Sequence, residues 1–132
     1  MEFHKEEFTI SDDRRRVDID VVSGLLAGGY WGHRRPRDVV EKLIPRSLCF
    51  SLFRNDTQIG FARVVTDGTV FSWLSDFVIT EAYRGMGLGR WMLDCILTHP
   101  EIAITQFVLQ TGSAFGLYEK FGFKTSGKLM TR

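Results

Sequence analysis

Arg84-Gly85-Met86-Gly87-Leu88-Gly89-Arg90 stands between an apolar run that ends at Ile79 and a helical pattern that begins near Leu88. Glycines at alternating positions let the backbone turn tightly and approach a ligand with no Cβ in the way, so successive N–H groups can converge on phosphate oxygens. A helix that starts there adds its unpaired N–H groups and the positive end of its dipole. The stretch reads as a phosphate cradle, with Arg84 and Arg90 as counter-charge. Two nucleotide-binding readings are weakened by what it lacks. It has no Gly-Lys-Ser/Thr ending of a P-loop, and Arg90 occupies the place of the third glycine of a dinucleotide fingerprint.

On either side of the loop the pattern alternates between strand and helix. Leu48, Phe50 and Leu52 alternate, Asn55-Asp56 turns the chain, residues 58–66 return, Asp67-Gly68 turns it again, and residues 70–79 make a third strand. This predicts an antiparallel meander. After the loop, Leu88, Trp91, Met92, Cys95 and Ile96 recur at helical spacing until Pro100 closes the segment. Residues 104–109 then read as a strand, 113–120 as a helix, and 121–123 as the opening of a last strand. Strand, loop, helix and strand in that order form a β-α-β unit, which makes the strands at 70–79 and 104–109 parallel. Nearer the N-terminus, residues 8–10 begin a short strand, and 20–26 and 37–44 read as helices separated by Gly28-Gly29. Val39, Val40, Leu43 and Ile44 share one helix face, with Pro36 near its start and Pro45 at its stop. The prediction is an α+β fold in a single domain, residues 1–132.

Composition narrows the function classes. With 132 residues, 44% hydrophobic content and eleven Phe, the chain is long enough for one buried core and too apolar for disorder. A net charge of +1 gives no case for nucleic acid, which requires a concentrated basic surface. Arg14-Arg15-Arg16 lies among Asp12, Asp13, Asp18 and Asp20 and reads as a solvated turn. No apolar run approaches a bilayer span and the first seven residues lack the apolar region of a secretory leader, so the expectation is no membrane and a cytoplasmic setting. Cys49 and Cys95 read as buried thiols. Three scattered His and two separated Cys give no metal-ligand spacing, and no Gly-x-Ser-x-Gly elbow is present for a serine hydrolase.

The Arg-x-x-Gly-x-Gly/Ala pattern at Arg84, Gly87 and Gly89 resembles the pyrophosphate loop of the GNAT family of N-acetyltransferases. Two flanking blocks agree. Asp76-Phe77-Val78-Ile79-Thr80-Glu81-Ala82-Tyr83 is similar to the family's strand and approach to the loop. Ala114-Phe115-Gly116-Leu117-Tyr118-Glu119-Lys120-Phe121-Gly122-Phe123 resembles its late Leu-Tyr-Glu-Lys-x-Gly-Phe helix and following strand. Together these blocks cover the second half of the chain in the right order. The resemblance implies a GNAT-like acyl-CoA N-acyltransferase fold: a central mixed, mostly antiparallel sheet with helices on both faces and a splayed parallel strand pair that admits the pantetheine arm.

The resemblance also implies acetyl-CoA as acyl donor and direct transfer of the acetyl group to a primary amine of a small molecule or peptide. Arg84, Gly85, Met86, Gly87, Leu88, Gly89 and Arg90 would hold the diphosphate. Phe77, Val78 and Ile79 would pair with pantetheine, and Tyr118 would act as the acid at the departing sulfur. The competing reading of Tyr118 is packing among Phe115, Phe121 and Phe123. Asp76 and His33 are candidates for the base; residues 30–37 are a candidate acceptor-site wall, with Tyr30 and Trp31 as contacts, and compete with the reading of a surface connection between helices. Thr111 occupies the place of an Asn that contacts the cofactor in many members, with Ser113 as a second hydroxyl. The family often pairs as a homodimer. The alternative from another class is a non-catalytic acyl-CoA-binding sensor or scaffold, and a structural interaction domain comes third.

Overall fold

Short polar turns set the sheet, in a computed structural model that describes residues 1–29 and 34–132. Asn55, in the left-handed region at φ 52°, joins β3 (Leu48–Arg54) to β4 (Thr57–Thr66). Asp67 gathers the N–H groups of Thr69, Val70 and Phe71 on one carboxylate oxygen and so turns β4 into β5 (Phe71–Ile79). Those bonds, from Phe71 first, hold the Asp67 carboxyl down at about 2. The meander is as the alternation predicts.

Six strands among the described residues form one sheet in the order β1 to β6. β1 (Glu2–Lys5) and β2 (Phe8–Ser11) form an antiparallel hairpin that extends the meander through β2–β3 pairing. β6 (Gln106–Val108) alone runs parallel to its neighbour, pairing Phe71, Ser72 and Trp73 of β5 with Gln106, Phe107 and Val108. Both faces are covered. On one, Phe50, Leu52, Ala62, Val64 and Leu74 pack with Met92, Leu93 and Ile96 of α3 (Leu88–Leu97), joined by Tyr118 of α4 (Phe115–Glu119). On the other, Cys49, Phe61 and Val78 pack with Val22 and Leu26 of α1 (Ile19–Ala27) and Val40 and Leu43 of α2 (Arg37–Leu43).

Gly60 is a close-approach point inside this sheet. A Cβ there would lie 3.1 Å from both the Leu52 Cβ and the Val78 carbonyl oxygen. Gly60→Ala is therefore expected to cost about 1–3 kcal/mol by overpacking, read as a lower urea midpoint at unchanged m-value.

A bulge divides β5. Phe61 pairs with Val78 but Arg63 pairs with Ser75, so one residue of β4, Ala62, faces two of β5, Asp76 and Phe77. The extra residue is Asp76, held at φ 55°, a conformation that Asp tolerates better than most residues. Alternation reverses there: Leu74 faces α3 before the bulge and Ile79 after it, while Val78 turns to the α1–α2 side.

Three expectations need correction. Residues 121–123 close α4 and form no strand: the N–H groups of Phe121 and Phe123 donate to the Tyr118 carbonyl, that of Gly122 donates to Glu119, and Gly122 sits at φ 88°. These donors are spent on the helix end and cannot join a ladder. Strand β6 is shorter than 104–109, because Thr105 N–H bonds back to Ile102 in a turn. The Arg14–Arg16 turn is a 3₁₀ helix, yet two of its side chains dock. Arg14 Nε donates to the Ser47 carbonyl at 3.0 Å, and the Arg16 guanidinium lies 4.3 Å over the Phe53 ring. No helix among the described residues is long and apolar enough to cross a membrane.

Candidate active site

After Trp73 the outer edge of β5 has no strand partner among the described residues, while Gly60 and Phe61 of β4 still pair with Ile79 and Val78 on the other edge. The parallel pair thus splays, leaving a gap whose β5 wall carries Phe77, Val78 and Ile79. Backbone groups on such an unpaired edge are available to an extended ligand.

At the end of that wall the chain enters the glycine loop through a short 3₁₀ turn, Glu81–Tyr83. Arg84 Nε donates to the Ile79 carbonyl at 2.9 Å and so pins the loop to the strand end. Gly85 and Gly87 adopt φ 78° and φ 81°, and a Cβ at either would meet nothing within 4 Å. The loop is open on the side where side chains are absent. Gly87 caps α3 with no side-chain hydrogen bond, so the first N–H groups of that helix are left for a ligand. Leu88 is buried and anchors the helix start, whereas Met86 and Arg90 are exposed. A Cβ on Gly89 would touch Ile79 Cδ1 at 3.6 Å and Phe77 at 3.9 Å, both ordinary contacts. An anion of phosphate type fits this backbone cradle.

Across the gap, α4 brings Tyr118 to Phe77, ring centroids 6.4 Å apart and edge to face. Tyr118 is buried and also meets Phe123 at 5.8 Å. Packing and proximity to the β5 wall therefore coincide in one residue. Tyr118 also lines a cleft of about 580 Å³ with Val108, Leu109, Thr111 and Phe123, a cleft that the loop residues do not border. Thr111 Oγ1 accepts the Ala114 N–H at 2.9 Å and so braces the start of α4.

Asp76 is not available as a base. Its carboxylate is fully buried and bound by Arg35 at 2.9–3.1 Å and by Arg63 Nε at 2.7 Å. Burial alone would raise its pKa, but the two guanidiniums outweigh it and hold the carboxyl below its ordinary value. His33, Tyr30 and Trp31 lie outside the described residues. Arg35 falls in the 30–37 segment read as an acceptor-site wall, but its pairing with Asp76 was not foreseen and Arg63 was missed; the available signal was a lone Arg and a lone Asp inside two adjacent, mostly apolar strands. Cys49 and Cys95 are buried with thiols pushed up to about 11 by burial, which leaves them un-ionised and inert. No metal-binding group of three His, Cys, Asp or Glu occurs among the described residues.

Comparison with known proteins agrees with this geometry. Residues 45–125 match the family model described as an acetyltransferase (GNAT) domain. A "Putative acetyltransferase" of Gibberella zeae is 28% identical over 110 residues, covering 68% of this chain and 62% of its own length. An "Uncharacterized N-acetyltransferase" of Prochlorococcus marinus is 31% identical over 88 residues, covering 63% of this chain and 48% of its own. The chain thus spans about half to three fifths of these relatives' length. A solved GNAT-family structure from Xanthomonas campestris pv. campestris superposes with a TM-score of 0.88 at 32% identity, covering 95% of this chain and 92% of that one. A GNAT acetyltransferase from Elizabethkingia anophelis, solved with acetyl-CoA bound, shares the fold with a TM-score of 0.71 at 16% identity over 92% of this chain and 79% of that one.

Proposed function

The chain belongs to the GNAT acetyltransferase family, and from that premise we propose that it moves an acetyl group from acetyl-CoA to a primary amine by direct transfer. The observation that carries the reading is the splay of β5 from β6 after Trp73, leading straight into the open glycine loop and the uncapped start of α3. A long ligand with a phosphate at one end and an amide-rich arm fits that path.

Acetyl-CoA supplies an activated carbonyl and a thiolate leaving group. The residues of this chain bind and orient around it. Gly85, Gly87 and the first N–H groups of α3 hold the diphosphate, with Arg84 and Arg90 beside them. The edge of Phe77, Val78 and Ile79 orients the pantetheine arm through backbone pairing. Tyr118 Oη supplies a proton to the leaving group. The burial of the Tyr118 ring against Phe77 and Phe123 fixes its orientation and keeps water from that side.

Calorimetric titration with acetyl-CoA, using CoA and ATP as comparison ligands, tests the cradle, and thiol release on adding amines tests the transfer. Binding of CoA species but not ATP is expected. Thiol release that requires an amine separates an enzyme from a sensor that only binds acyl-CoA. Gly87→Ala forces a side chain into the left-handed region, at about 1–2 kcal/mol, and should weaken acetyl-CoA binding about tenfold. Gly89→Ala makes only ordinary contacts and should change binding little. Equal effects of the two in the same titration would contradict the assigned cradle.

A further inference from the structure

The reversal at Asp76 gives β4, β5 and β6 a common floor on the side away from α3. Arg63 pairs with Ser75, Val65 with Trp73, and Trp73 with Val108, and paired neighbours share a face. Helices α1 and α2 cover this face over Phe61 and Val78 but not farther down. There Val65 and Phe71 are 43% and 40% exposed, with Trp73 and Val108 half-buried. The floor borders the gap, because β5–β6 pairing ends at Trp73 and Val108.

Where the helical cover stops, charge collects. Arg35 and Arg63 both bind Asp76, and their side chains keep 16% and 15% exposure. Arg63 Nη1 also donates to Ser47 Oγ, while Arg14 Nε donates to the Ser47 carbonyl. Two guanidiniums therefore converge on a single carboxylate, and a third, Arg14, joins the cluster only through Ser47; among the described residues Asp76 alone is a carboxylate bonded to any of the three. Arg63 Nη2 carries two N–H groups that take part in no hydrogen bond within this cluster. The surplus is positive, and it reaches solvent at the rim of the apolar floor. A polyamine or a lysine side chain arriving there meets repulsion, and a carboxylate meets guanidinium donors.

Resting on the acetyltransferase reading above, the geometry points to an acceptor that is a primary amine carrying a carboxylate. Its carboxylate lies against Arg63 and Arg35 and its apolar part over Trp73 and Val108, an arrangement that an apolar amino acid satisfies. Arg35 and Arg63 then determine specificity, and Asp76 positions both.

Matched pairs test this with the intact protein and acetyl-CoA. L-leucine is compared with 3-methylbutylamine, L-phenylalanine with 2-phenylethylamine, and both with spermidine, by thiol release. The amino acids should exceed their decarboxylated partners in kcat/KM by about ten- to a hundredfold, the worth of a charged hydrogen-bonded contact. Arg63→Met, which leaves Asp76 paired with Arg35, should collapse that ratio while acetyl-CoA binding is unchanged. Equal or better use of the decarboxylated amines or spermidine by the unaltered protein overturns this acceptor and leaves the acetyltransferase reading standing. If acetyl-CoA binds but no amine releases thiol, calorimetry with the amino acids decides. Binding lost in Arg63→Met sustains the carboxylate site while the transferase reading fails, and no binding overturns the site as well.

Discussion

Tyr118→Phe is expected to lower kcat by about a hundredfold or more, the usual contribution of a positioned general acid, with the Kd for acetyl-CoA within about twofold. The substitution removes one oxygen from a buried ring and keeps the edge-to-face contacts with Phe77 at 6.4 Å and Phe123 at 5.8 Å. Packing is thus held constant while the proton source is lost. A residue of purely structural role would leave turnover unchanged, and that outcome in a thiol-release assay would remove Tyr118 from the mechanism. The readout is strengthened by leaving groups: a thioester whose thiol is more acidic needs less protonation, so the deficit of the Phe variant should shrink with it.

Asp76→Asn is expected to destabilise the fold by about 3 kcal/mol, the lower end of the cost of breaking a buried ion pair. The Asn variant keeps the size of the side chain and tolerates the left-handed backbone at φ 55° as Asp does. What it loses is the charge opposite Arg35 and Arg63, both mostly buried. Adding Arg63→Met to Asp76→Asn should recover part of the loss, because one stranded cation is then removed; a double-mutant cycle in urea reads the coupling. The pH dependence follows from the lowered carboxyl of Asp76. A group with a depressed folded-state pKa contributes stability above its unfolded value and loses it as pH falls through the folded one. The unaltered protein should therefore lose part of its stability below about pH 4, the ordinary range of Asp. The Asn variant should lack that component of the acid slope.

Those two residues show what was legible in the sequence. The glycine loop, the helix behind it and the β3–β5 meander were readable because each rests on local spacing: alternation by two, recurrence by three and four, and punctuation at Asn55 and Asp67. Parallel pairing of the strands flanking the loop followed from their order. The resemblance at residues 76–90 and 114–123 carried the family assignment. Three other features were hidden. Strand β1 has only Phe3 partly buried, and it exists because β2 supplies the partner. Phe121 and Phe123 mimic a strand by alternation, yet the carbonyl of Tyr118 claims their N–H groups. The role of Asp76 depends on Arg35, 41 residues away, and Arg63, 13 residues away, contacts that periodicity does not encode. One inserted residue in β5 turned an expected proton acceptor into the anchor of a cationic pair.

That inserted residue also separates two tasks that neighbouring positions would otherwise share. Because the facing of β5 reverses at Asp76, positions 73 and 75 belong to one chamber while 77 and 79 belong to the other. An uninterrupted strand would put 73, 75, 77 and 79 on the same side. On the proposed assignment of acceptor floor and donor gap, libraries that randomise Trp73 and Ser75 are expected to change acceptor use with little effect on acetyl-CoA binding, and those at Phe77 and Ile79 to do the reverse. The chain has, within nine residues, a built-in partition for directed evolution.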